Sequence, residues 1–135
     1  MPYTMKELQD FYVDVLNEVG YKCESNSDGN VEIQDNDIKY VLAVFEDDPE
    51  YFCIYYMLKI RYDENDILKI LNAINGTNKE VKLVRLAFNK EDGFIMFNGA
   101  YFIKDPNEFP IFFKRTLLQI NHAVEYFINE TEGKK

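Results

Sequence analysis

At 135 residues the chain has the length of one ordinary domain and can bury a core without disulfide or metal staples. Its 47% hydrophobic and 29% charged residues exclude a disordered chain. A net charge of −9 argues against nucleic acid and anionic lipid as partners, because phosphate binding needs a basic patch.

Thr4 and Glu7 have the spacing of a capping box, the side-chain device that satisfies free N–H groups at a helix start. Met5, Leu8, Phe11, Tyr12, Val15, Leu16 and Val19 then recur at helical spacing, and Gly20 supplies a left-handed stop. These signals predict a first helix over 5–19. From Tyr21 the period becomes two. Residues 21–24, 31–34 and 38–45 read as three strands. Pro49, inside the acidic run Glu46, Asp47, Asp48 and Glu50, ends the third, since proline cannot donate to a ladder.

The stretch 24–35 resembles a calcium loop. Asn26, Asp28, Gly29, Asn30, Glu32 and Asp35 fall at loop positions 3, 5, 6, 7, 9 and 12. Glu24 and Asp35 depart from the pattern at its two ends, and the flanks alternate like strands rather than helices. The preferred reading is a hairpin loop in which Asp28, Gly29 and Asn30 tolerate positive φ, with no metal bound.

Residues 51–61 read as a fourth strand. One face carries Phe52, Ile54, Tyr56, Leu58 and Ile60; the other carries Tyr51, Cys53, Tyr55, Met57 and Lys59. The first set is the more uniformly apolar and suits a core. Tyr51, Tyr55 and Met57 on the second face are too apolar to be left in water without use. Either the protein's own helices cover them or a partner does, and we take them as candidate partner-binding residues.

Asp63–Asp66 opens a second helix, lined by Ile67, Ile70, Leu71 and Ile74 and predicted to end at Asn75-Gly76. Residues 81–89 and 94–103 follow as strands joined by a turn containing Asp92-Gly93. Asp105-Pro106-Asn107-Glu108 starts a third helix with Phe109, Phe112, Phe113, Leu117, Ile120, Ala123, Val124, Phe127 and Ile128 in its apolar stripe. The order is α-β-β-β-β-α-β-β-α: an α+β fold, one domain over 1–135, with an antiparallel sheet of about six strands and three helices. Leu8, Phe11, Val15, Ile54, Leu58, Leu71, Phe112 and Ile120 are the expected core.

Little here reads as chemistry. His122 stands alone, and Cys53 lies in an apolar strand where a thiol behaves as a small hydrophobe. Asn72, Asn75, Asn78 and Asn98 default to turns and caps. No phosphate-cradling loop or nucleophile elbow is present, so no catalytic or cofactor residue is assigned. The chain shows no leader-like apolar start and no 18-residue apolar run, and Cys23 and Cys53 read as thiols. The expected compartment is the cytosol, away from membranes.

The stretch "ILKILNAINGTNKEVKLVRLAFNKEDGFIMFNGAYF" follows a first helix and a strand meander and precedes a long final helix. Together they resemble the YbjN-like domains, bacterial proteins with a type III secretion chaperone-like fold. The likeness rests on a helix carrying Asn72 and Asn75, a strand with Arg85, an acidic turn and a returning strand, and it covers about residues 4–130. It implies no catalytic residues. It implies a protein or peptide partner, homodimerisation, and a chaperone-like or regulatory module. The alternative is a small-ligand or enzymatic domain with a pocket between sheet and helix.

Overall fold

The computed structural model describes residues 4–104 and 108–132. Helix α1 (Met5–Glu18) precedes strands β1 (Lys22–Ser25), β2 (Val31–Asp35), β3 (Ile38–Val44) and β4 (Tyr51–Lys59). A 3-10 turn (Glu64–Asp66) leads into α2 (Ile67–Glu80), β5 (Val84–Asn89), β6 (Phe94–Phe102) and α3 (Phe109–Thr131). The six strands form one antiparallel sheet in the order β1-β2-β3-β4-β6-β5. The α+β class and the element order are as the sequence predicts. The Asp105-Pro106-Asn107 helix start lies outside the described residues.

The chain divides into two compact units. The first takes the chain up to Tyr55 and from Ala100 to Lys114; the second takes Tyr56–Gly99 and the chain from Arg115 on. In the first, the Thr4 hydroxyl accepts from the Glu7 N–H at 3.1 Å, and Glu7 Oε1 accepts from the Thr4 N–H at 2.9 Å, closing the capping box. Hydrogen bonding to the Thr4 backbone N–H first, and to its hydroxyl second, stabilises the Glu7 carboxylate and holds its pKa below the usual value. Asn36 and Asp37, both at positive φ, make the tight turn between β2 and β3. Leu8, Tyr12 and Leu16 of α1 are buried, as are Val31, Ile33, Tyr40, Leu42, Val44, Phe52 and Ile54 of the sheet. Tyr12 packs against the rings of Phe52 and Phe109 at 5.7 and 4.8 Å.

Two expected core residues of this unit lie at its surface. Phe11 is exposed, one position before the buried Tyr12, and Phe112 is 36% exposed beside the fully buried Phe113. Val15 is half-buried. An apolar stripe wider than the buried arc leaves its flanking residues near water. The usual cost of truncating a buried ring, about 3–5 kcal/mol, therefore attaches to Phe113 rather than Phe112.

In the second unit Ile70, Ala73, Ile74 and Thr77 of α2, Val84 and Leu86 of β5, Ile95 and Phe97 of β6, and Ile120, Ala123 and Phe127 of α3 are buried. Leu58, another expected core residue, is half-buried, and Leu71 faces outward. Helix α2 does not stop at Gly76. Its buried face continues through Thr77, and the residue after it, Val81, is buried too, so packing outweighs the glycine's poor helix propensity. Strand β5 correspondingly starts later than the sequence suggests, after Leu83 turns the chain at a φ of 70°.

Candidate functional site

Strand alternation sends Phe52 and Ile54 into the core of the first unit and Tyr51, Cys53 and Tyr55 to the opposite face. On that face Val41 stands opposite Tyr55, and Ala43 opposite Cys53. One step further, the Phe45 and Tyr51 rings lie 5.0 Å apart, and Tyr51 lies 5.0 Å from Phe102. Phe102 is 70% exposed, so no described helix covers that corner. Tyr51 and Tyr55 are half-buried, while Cys53 between them is buried. Met57, two residues past Tyr55 on the same face of β4, belongs to the second unit and is 45% exposed.

Tyr51 thus gains neighbours that sequence reasoning did not group with it. Phe45 lies just past the end of β3 and Phe102 at the last residue of β6. The signal was present: both continue their strand's alternation by one step. What was missing was the pairing that sets the two strand ends beside Tyr51.

The surroundings are acidic. Glu46, Asp47, Asp48 and Glu50 are all exposed in the loop between Phe45 and Tyr51, and none joins an ion pair among the described residues. Burial raises the pKa of the Tyr55 phenol, with Cys53, Asp28 and Glu32 adding to the effect. Glu32 is held by Lys39 at 2.9 Å and by the Asn26 amide at 3.1 Å, and those bonds lower its pKa. Lys104, two residues beyond Phe102, is an exposed cation at the aromatic end.

The calcium-like stretch is a hairpin loop. Asn26 Oδ1 accepts from the N–H groups of Asp28 and Asn30, both at 3.0 Å. Asn30 Oδ1 accepts from the Val44 N–H at 3.3 Å. The buried Gln9 donates to the carbonyls of Asn26 and Asn30 at 3.2 and 2.8 Å, tying the loop to α1. Of the side chains that would bind an ion, Asn26 and Asn30 are engaged in building the turn and Glu32 is held by Lys39 and Asn26. Among the described residues no group of three or more His, Cys, Asp or Glu is placed to hold a metal.

His122 is exposed on α3, Cys53 is a buried thiol and Cys23 a half-buried one. Cys23 Sγ faces the Val13 carbonyl at 3.6 Å, and burial raises its pKa, which disfavours a reactive thiolate. A recess of about 100 Å³ in the first unit is lined by Leu8, Phe11, Tyr12, Pro49, Phe52, Ile103 and Phe109. Apart from the Tyr12 hydroxyl its side chains are apolar, so it offers no convergent polar set of the kind an enzyme site needs. No described helix is long and apolar enough to cross a membrane.

This architecture is a YbjN-like fold, seen also in a chaperone–effector complex. YbjN from E. coli superposes with a TM-score of 0.68 at 11% identity over 92% of each chain. A chain of the HopA1–SchA chaperone–effector complex matches with a TM-score of 0.55 at 16% identity, over 97% of this chain and 99% of that one. The sequence itself matches no protein-family model and no curated protein.

Proposed function

We propose that the chain is a non-catalytic protein-binding module, chaperone-like or regulatory, that holds a polypeptide partner on the open face of its sheet. Tyr51 and Tyr55 are the binding residues, continued along β4 by Met57. The observation that carries this reading is the ring cluster of Phe45, Tyr51 and Phe102, with Phe102 exposed and the other two half-buried, on a face whose opposite side already serves the core. Soluble proteins rarely keep such a patch without use. The likeness to a chaperone–effector complex supports it, since that fold is seen there in a protein assembly. Thiols at Cys23 and Cys53 support action in the cytosol.

The test is affinity capture from the native host with the wild type and with a Tyr51→Ser, Tyr55→Ser, Met57→Ser variant. We expect the variant to keep its circular dichroism spectrum and lose the partner. Equal capture by both proteins refutes the assignment of these residues. A second reading, homodimerisation, is favoured by Leu68 and Leu71, both exposed on α2, with Leu68 at 69%. Sedimentation of the wild type against Leu68→Ser with Leu71→Ser decides it: a dimer lost in the variant supports it, and a strict monomer excludes it.

A further inference from the structure

The second unit holds a recess that the protein-binding face does not use. Its volume is about 210 Å³, and its walls come from the chain just past β4, from the start of α2 and from the end of α3. Ile60, Ile70 and Phe127 supply the apolar part, and the last two are buried. Arg61 and Lys69, both exposed, bring positive charge, and Asp66 brings a carboxylate.

The polar groups differ in what they have left to offer. The Tyr62 hydroxyl donates to the Lys90 carbonyl at 2.6 Å, and the Thr131 hydroxyl donates to the Ile128 carbonyl at 2.9 Å. Asp66 Oδ2 accepts from the Asp63 N–H at 3.1 Å, in the cap that opens the 3-10 turn. Arg61 and Lys69 join none of the ion pairs among the described residues, in a chain with 24 acidic side chains against 15 basic ones. The residues on either side of Arg61 are anchored. The Ile60 N–H donates to the Gly93 carbonyl at 3.0 Å, and the Tyr62 ring packs edge-on against Phe88 at 5.2 Å. Two cations on a held backbone and a helix are therefore the donors left for a ligand, beside an apolar wall. Groups fixed before binding lose less freedom on binding.

We infer that this recess binds a small monocarboxylate with an apolar body, of the class of an arylacetate or a short-chain fatty acid. Arg61 takes the carboxylate through paired N–H···O bonds, Lys69 adds a point charge, and the body lies against Ile60, Ile70 and Phe127. Size limits the ligand: drug-sized molecules fill roughly 300–1,000 Å³, so this recess takes one ring or a few carbons. Charge limits it too. Two cations less the Asp66 carboxylate leave one net positive charge, which a single carboxylate matches and a phosphate dianion exceeds. The inference goes beyond the protein-binding reading and does not depend on it, since Tyr51, Tyr55 and Met57 take no part in the recess.

Isothermal titration calorimetry with four probes tests it: phenylacetate, its neutral isostere phenylacetamide, acetate, and inorganic phosphate. Four proteins are compared: wild type, Arg61→Gln, Lys69→Gln, and Lys79→Gln, which removes an exposed positive charge from α2 away from the recess. Circular dichroism checks that each is folded, and the two recess variants keep the test open if one of them is not. The wild type should bind phenylacetate at least tenfold tighter than the other three probes. Arg61→Gln and Lys69→Gln should each lose at least fivefold of that affinity, and Lys79→Gln should keep it. Equal binding of phenylacetamide overturns the role of charge, and equal binding of acetate overturns the role of the apolar wall. Tighter binding of phosphate overturns the carboxylate assignment. Affinity unchanged in Arg61→Gln and Lys69→Gln, or lost equally in Lys79→Gln, overturns the location. No binding of phenylacetate at millimolar concentration overturns the inference entirely and leaves the protein-binding face untouched.

Discussion

Single contacts decide how closely the elements pack. A Cβ on Gly99 would lie 2.7 Å from Thr116 Cγ2, closer than real contacts allow. Thr116 is buried on α3 in the same unit, so the helix approaches the sheet at a point where only a hydrogen fits. Gly99→Ala should cost about 1–3 kcal/mol by overpacking. Thr116→Ser removes the clashing methyl and keeps the hydroxyl, so adding it should restore part of that loss in a double-mutant cycle read by urea unfolding. Additive losses would show that the methyl is not the obstacle. Tyr12 makes a second prediction. Burial lifts its phenol pKa to about 12 from the ordinary 10.0. The neutral form is the one the folded state favours, so this stability is present in full below pH 10 and is lost as pH rises towards 12. Two pKa units correspond to about 2–3 kcal/mol. Tyr12→Phe should unfold less steeply between pH 9.5 and 11.5 than the wild type. Some slope should persist, because the phenols of Tyr21 and Tyr55 are also raised, mainly by burial.

The end of the sheet at β5 shows how an element is protected by its neighbour. The Asn78 amide accepts from the Leu86 N–H at 2.8 Å and donates to the Leu86 carbonyl at 3.4 Å. The Arg85 guanidinium donates to the Val84 carbonyl at 3.1 Å. Backbone groups that a foreign strand would need are taken by side chains, which is one way native sheets avoid edge pairing. Asn78→Ala should lower stability by about 1–3 kcal/mol through the unsatisfied amide and carbonyl. It should also raise light scattering during refolding, and a fully stable, non-aggregating variant would rule out the protective role. Asn78 was legible as a polar helix residue, but not as an edge cap, because its partner lies eight residues on, across the Leu83 turn. Residue types and periods marked nearly all the elements correctly. The α2 end was misjudged because Gly76 was weighed by local propensity, while the buried Thr77 and Val81 on its far side kept the helix packed.

For the molecule as a whole, the sequence made the fold readable and the face only half so. The parity of β4 was plain, and Phe52 and Ile54 are buried as their alternation implies. Which large side chains would gather around Tyr51 depended on strand pairing, which no local pattern carries, so Phe45 and Phe102 went unnoticed. The charge, by contrast, needs no structure to be counted, and the structure says what it does. Acidic side chains number 24 against 15 basic ones. Among the described residues three ion pairs form: Lys6 with Asp10, Lys39 with Glu32, and Lys90 with Glu64. All three lie at the surface, where such a pair contributes about 0–1 kcal/mol. Salt has two opposed effects here: it weakens those pairs and it screens the repulsion among unpaired carboxylates. With few pairs to weaken and a large excess of one sign, screening wins. The melting temperature at pH 7 should therefore rise by a few degrees between 10 mM and 500 mM sodium chloride, on the order of 1 kcal/mol for a domain of this size. A fall over that range would mean that the ion pairs outweigh the repulsion.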